Sequence, residues 1–277
     1  MASAQLMKRK LNATLFAGAA IVVLLVLLAL AAPWIAPYEP NAVSTANILA
    51  PPGLKHWAGT DELGRDILSR VLHGARPSLA VAFGIVAIGV VLGVPIGAFC
   101  GLVGGWLDAA AMRLVELVMA LPGLVIALAL TAALGPSLIN LAIALGLLSV
   151  PFYVRMARGQ ALALRERAYV KAARVMGAST SFIVRRHMLP NMAASLVVLV
   201  SINLSGAVLA ASTLSFIGLG AQPPTAEWGA LVNSGQTYIL EQWWYPMVPG
   251  LAVLIAALGF NLLGDGLRDW LDPKEAP

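Results

Sequence analysis

Residues 165–191, RERAYVKAARVMGASTSFIVRRHMLPN, stand between two long apolar segments. Tyr169, Ala172, Ala173 and Met176 recur at i, i+3, i+4 and i+7, which is one face of a helix. Lys171 and Arg174 fall on the opposite face. Gly177 suits the left-handed residue that closes a helix, and Ser179 suits the cap of a following one. Phe182 and Ile183 give that second helix an apolar side. Pro190 stands at a first-turn position where a membrane segment begins. The stretch therefore predicts two short amphipathic helices, joined by a tight bend and held at a membrane surface. The small side chains of Ala172 and Ala173 let another protein approach this backbone closely. Periodicity by itself fits equally a basic loop that only connects two membrane helices.

The flanking sequence supplies the membrane. Of the 277 residues, 60% are apolar and only 11% charged, against about 45–50% and ~25% in a soluble domain. Six segments reach the roughly 20 residues that cross a bilayer: about 13–32, 79–103, 108–134, 137–157, 190–216 and 245–263. The predicted fold class is all-α, a polytopic membrane helix bundle with six transmembrane helices and the short helix pair between the fourth and fifth. Residues 1–77 form an N-terminal tail, the first span and an external loop. Residues 78–277 form a core of five spans that includes the loop 158–190. The apolar run after Lys8-Arg9-Lys10 is too long for a signal peptide, and Pro33-Trp34 is a poor cleavage context, so the first helix is expected to be retained. Cys100 is the single cysteine and lies inside an apolar segment, which excludes a disulfide framework and a thiolate metal site. The net charge of +5 sits in particular loops and calls for no nucleic acid.

Along the chain, 33–58 is rich in proline and reads as an extended loop. Then follows GTDELGRDILSRVLHGARPSL. Thr60 is a helix cap, Asp61 and Glu62 favour the positive end of a helix, and Gly74 can stop it. Leu63, Ile67 and Val71 share one face, so a separate interfacial helix is predicted ahead of the second span. Asp61, Glu62 and Asp66 lack the ligand pattern of a calcium loop and are expected to cap and to pair with Arg65 and Arg70. Gly89, Gly93, Gly97, Gly101 and Gly105 recur every four residues, a ridge that lets another helix pack closely. Arg113 and Glu116 are placed to pair with each other. In the fifth span Ser201, Ser205, Ser212 and Ser215 lie near one face. Such a stripe fits a packing surface and a watery path alike, and makes Ser201, Ser205 and Ser212 the candidate path residues. Asn203 points elsewhere and is expected to bond to a neighbouring helix. Residues 217–244 read as a long loop, with Trp243, Trp244 and Tyr245 suited to a membrane interface.

The basic residues orient the bundle. Of the 18 Lys and Arg, only Lys55, Arg65, Arg70 and Arg76 fall on one side. The other fourteen share the side of residues 158–190, which the positive-inside rule makes cytoplasmic together with both termini. The long loops 33–77 and 217–244 then face outward.

Ala172-Ala173, Gly177 and Leu189-Pro190 resemble the signature loop of ABC-importer permeases, written E-A-A-x3-G-x9-I-x-L-P. Lys171 stands where glutamate is usual, and His187 where isoleucine is usual. The run from Arg186 to Asn191 resembles the RHxLPN variant of dipeptide, oligopeptide and nickel importers. GTDELGRDILSR, LSFIGLGAQPPTAEWG at 214–229 and NLLGDGLRDWLDP at 261–273 extend the resemblance over nearly the whole chain. The resemblance implies a bacterial inner-membrane permease subunit, most simply for di- or oligopeptides, with nickel or another small solute as the alternative. It implies a second, homologous permease subunit, two ABC ATPase subunits and an external substrate-binding protein as partners. Tyr169, Ala172, Ala173, Met176 and Gly177 become the ATPase-coupling residues. ATP and Mg would be used by the partner subunits, since this chain has no G-x-x-x-x-G-K-[ST] loop and is expected to bind no cofactor.

Two other classes are weaker. Gly264-Asp265-Gly266 is similar to an intramembrane protease aspartate, but such chemistry needs two carboxylates sharing a proton and no second one lies in a span. Asp265 is expected to pair with Arg268 or cap the helix end. A secondary transporter would carry an ionisable residue near mid-membrane and internal repeats, and neither is apparent.

Overall fold

The computed structural model describes residues 2–271, with side chains from residue 13 onward. The Lys8-Arg9-Lys10 cluster and Lys274 lie outside the described side chains. Among the described residues the secondary structure is helical, with one isolated β-bridge between Thr60 and Asp66. The polytopic all-α bundle read from the sequence is the fold. Five helices are long and apolar enough to cross a membrane, and one bent pair makes a sixth when counted as a single span.

Helix α1 (Ala2–Ile35) runs past Pro33. Proline has no N–H, so the carbonyl of Ala29 loses its helical donor. Arg76 repairs this: its Nε donates to that oxygen at 2.6 Å, and Nη2 donates to the Leu30 carbonyl at 2.7 Å.

Helix α2 (Ile67–Val103) corrects the expectation of a separate interfacial helix. Asp66 is the cap, its carboxylate accepting from the Ser69 N–H at 2.8 Å, and the helix continues through Gly74 and Pro77 into the membrane span. Thr60 is held otherwise: its hydroxyl donates to the Asn47 carbonyl and accepts from the Ala50 N–H. Gly74 is there for space, since a Cβ would sit 3.0 Å from the Ala226 carbonyl. The boundary drawn at 77/78 falls inside this one helix.

The glycine ridge seats α2 on α5 (Leu138–Arg165). A Cβ at Gly93 would stand 2.8 Å from the Val150 carbonyl oxygen, and one at Gly101 2.8 Å from that of Arg158. The backbones therefore approach as only glycine permits.

The third span is broken. Helices α3 (Gly105–Met119) and α4 (Gly123–Leu134) meet at 86°. Pro122 supplies the cause: it lacks an N–H, and it disfavours helix at Leu121 before it. Arg113 and Glu116 do pair, at 3.2 Å, fully in the open.

Between the fourth and fifth spans lies α6 (Ala168–Val175), then a bend at Gly177, whose φ is +81°. Ser179 caps α7 (Thr180–Ile183), but α7 is no separate helix. It passes through a π-turn at Val184–Met188 into α8 (Leu189–Phe216). Pro190 cannot donate to the Arg186 carbonyl, and the widened turn, with Leu189 N–H on the Val184 carbonyl, accommodates it.

The segment 217–244 is not loop throughout: it contains helix α9 (Trp228–Gly235). Buried Glu227 caps it, accepting from the Gly229 and Ala230 N–H groups and from the Ser78 hydroxyl, each at 3.0 Å. Trp228 Nε1 donates to the Val71 carbonyl at 2.9 Å and ties α9 to α2. Helix α10 (Trp244–Leu271) packs between α1 and α8.

At the end of the bundle where α2 begins, the acidic cluster pairs as expected. Asp61 takes Arg65 Nε at 2.6 Å and stands 3.5 Å from Arg70 Nε, and both arginines are buried. Asp66 meets His56 Nδ1 at 3.0 Å, and Glu62 accepts from the Tyr245 hydroxyl.

Candidate functional site

Two places in the fold offer chemistry. The first is the basic end formed by α6, α7 and the C-terminal ends of α2 and α5. The last carbonyls of α2 lack helical donors. Arg174 Nη2 donates to the Leu102 carbonyl at 2.5 Å, and Arg165 Nη1 to that of Gly101 at 3.4 Å. Cations at a helix C-terminus also complement its dipole. Arg158 grips Asp108 through two parallel bonds of 2.5 and 2.6 Å, fixing α5 to α3. These contacts hold α6 against the bundle by Val170 and Ala173, both buried.

This placement divides the face read from periodicity. Ala173 belongs to the inner side of α6, only 4% exposed, and packs against this chain. Tyr169, Ala172 and Met176 remain outward, and Met176 is 81% exposed beside Val175 at 88%. The His187 ring lies 5.9 Å from Tyr169 and 5.8 Å from Phe182, so an aromatic group continues the outward face across the bend. The sequence pattern gives Phe182 an apolar role on the second helix and marks His187 as a departure from the family signature, but it joins neither of them, nor Val175, to the outward face of α6. Phe182 and His187 lie on the far side of the bend, where no helical period within α6 reaches them. Lys171 pairs with Glu166 at 3.0 Å and holds that carboxyl below its ordinary range.

The second place is a cavity of ≈ 310 Å³ at mid-bundle, between α2, α4, α5 and α8. Its walls are mostly apolar, with Leu124, Ala127, Phe152 and Gly206 among them. Ser149 and one polar pair interrupt them: Ser149 Oγ donates to the Gly146 carbonyl at 2.7 Å, and Asn203 Nδ2 donates to the Tyr153 hydroxyl at 3.1 Å. The neighbouring helix expected to receive Asn203 is therefore α5. The serine stripe lies elsewhere on α8. Ser201, Ser205 and Ser212 are buried within the chain, and Ser201 bonds to the carbonyl of Val197 on its own helix. Ser212 backs onto Gly229 of α9. Asp265 is exposed inside α10, and no ion pair with Arg268 occurs among the described residues.

The chain is thus a multi-span membrane bundle with a mostly apolar cavity between α2, α4, α5 and α8, and its sequence relatives define the class, the membrane-embedded permease. The chain belongs to the family described as the binding-protein-dependent transport system inner membrane component, whose profile matches residues 93–276. The N-terminal transmembrane domain of oligopeptide transport permease C matches residues 8–52. The chain is 48% identical over 257 residues to a probable D,D-dipeptide transport system permease protein of Escherichia coli (strain K12), covering 93% of this chain and 86% of that protein. It is 43% identical to a di/tripeptide transport system permease protein of Pseudomonas aeruginosa (strain UCBPP-PA14), over 93% of this chain and 87% of the relative. A glutathione transport system permease protein of Escherichia coli O1:K1 / APEC is also 43% identical, over 93% and 85%. These relatives are transport permeases rather than enzymes.

Proposed function

We propose that the chain is one of two permease subunits of an ATP-driven importer of short peptides, placed in a bacterial inner membrane with both termini in the cytoplasm. The observation that carries the proposal is the uncovered patch on α6 and α7. Apolar side chains as open as Val175 and Met176 at an arginine-rich end mark a protein contact. The partner is an ATPase subunit, which meets Tyr169, Ala172 and Met176, while Ala173 and Gly177 set the pose of α6. Two ATPases, a second homologous permease and an external binding protein complete the assembly. Peptide is the substrate because the relatives named above carry peptides or glutathione in their names.

ATP-driven closure of the ATPases moves α6, and Arg174 passes the movement to the end of α2. The glycine ridge then carries it to α5. A serine path through Ser201, Ser205 and Ser212 stays the lesser reading, because Ser201 bonds to its own helix and Ser212 backs onto α9. The cavity beside Asn203 is the better path.

The test is uptake of radiolabelled trialanine into proteoliposomes that hold the purified complex, with binding protein outside. Uptake that requires ATP supports the proposal. Uptake by the permease alone under an ion gradient overturns it in favour of a secondary transporter. Orientation is checked separately with cysteines at Lys55 and Lys171 in a Cys100→Ser background. An impermeant thiol reagent applied to spheroplasts should label position 55 and spare 171.

A further inference from the structure

We infer that Tyr153 and Asn203 form a docking point for the backbone edge of a peptide in transit, an inference that rests on the peptide reading above. The pair sits near the middle of α5 and α8. Its construction begins on α2. A Cβ at Gly89 would come within 2.6 Å of the Tyr153 ring carbons, and one at Gly93 within 2.6 Å of its Cβ. The two glycines thus cut a slot that holds the ring and presents the hydroxyl to α8. Asn203 answers from α8, next to Gly206, Ala207 and Ala210, whose small side chains leave the cavity open.

The hydrogen-bond inventory shows what the pair still offers. Asn203 Nδ2 donates to the tyrosine oxygen, which leaves the phenol proton and the Asn203 carbonyl oxygen without partners among the described residues. The second amide N–H is free as well, and turning the amide over leaves both amide N–H groups and a phenol lone pair, so donors and an acceptor remain in either orientation. In an extended chain the N–H and C=O of one residue point to the same side, and a neighbouring strand engages both together. Tyr153 is only 1% exposed in this state, so Asn203 and Tyr153 offer the matching acceptor and donor once α8 parts from α5. The apolar walls around them accept side chains of many kinds. The site therefore reads what all short peptides share and ignores what distinguishes them. An alternative occupant such as a lipid chain would have no use for the polar pair.

The experiment uses the complete complex in proteoliposomes with saturating binding protein. The probes are trialanine and its depsipeptide analogue, in which the central N–H is replaced by an ester oxygen. The variants are Tyr153→Phe, which keeps the ring in its slot, and Asn203→Leu. Wild type should move trialanine faster than the ester. Each variant should slow trialanine by about three- to tenfold, the size of one lost hydrogen bond, and bring the ratio of the two probes near one. The ATPase subunits should still co-purify with each variant, which shows assembly. Should one variant fail to assemble, the other decides. An unchanged ratio in an assembled variant overturns the inference, as does an equal slowing of both probes, which would mean a structural role. If wild type moves neither probe while its ATPases run, the peptide reading itself has failed and this inference falls with it. Peptide uptake with indifferent variants defeats the inference alone.

Discussion

The two ends of the bundle treat their charges in opposite ways. Where α2 begins, Asp61, Arg65, Asp66 and Arg70 are buried and answer one another within the chain. At the other end Arg167, Lys171, Arg185 and Arg186 are exposed, and Val175 and Met176 stand among them uncovered. The charge knot is answered within the chain except at Arg70 Nε, which has no hydrogen-bond partner among the described residues, and it forms a base for the loop segments around it. Leu54 and Leu240 stand exposed at that end too. What distinguishes the basic end is that its exposed apolar side chains stand among exposed cations, which is why the ATPase contact is proposed there.

The comparison can be broken at the closed end with the largest effect. Asp61→Ala would leave buried Arg70 without a carboxylate and Arg65 with Glu62 alone, a loss of about 3–5 kcal/mol for a buried pair. The expected outcome is little or no folded permease by size-exclusion chromatography in detergent; wild-type yield and melting temperature would mean the knot is no base. Ser205→Phe should come next, since overpacking a buried site costs about 1–3 kcal/mol. Assembly should suffer with uptake, whereas lost uptake in a normally assembled complex would return the serines to the path. Gly177→Val puts a β-branched residue at φ +81°, a strain of order 1–3 kcal/mol confined to the bend. The spans should stay inserted while ATPase co-purification drops. Lys171→Glu should do least. Its pair with Glu166 is exposed and screened by solvent, so wild-type assembly and uptake are expected, and a clear loss of either would give the pair a role.

Much of this was legible in the chain because it depends on local chemistry. Apolar runs announced the spans, a four-residue glycine period announced the α2–α5 contact, and Gly177 announced the bend. The failures share a different cause. Thr60 was a good cap by type, but Gly64 turns the chain at φ +73° and gives the capping position to Asp66. Helix α9 was hidden because a glutamate caps it, and its reason to fold is Trp228 docking on α2, far away in sequence. Pro122 carried the information that the third span breaks, yet hydropathy ran straight across it. Ala173 shared the period of the outward face, and only the docking of α6 on the bundle shows that it points inward.

The central claim concerns the open end, and Ala172→Asp tests it most directly. Ala172 is exposed, so the substitution leaves α6 and the spans intact. On binding, the new carboxylate would be desolvated against the ATPase without a partner, at a cost of a few kcal/mol. Pull-down of the ATPase by tagged permease, with uptake measured in parallel, should show binding weakened by roughly tenfold or more, with uptake lost in proportion. Wild-type binding and wild-type uptake in Ala172→Asp would contradict the claim and leave residues 165–191 a connector.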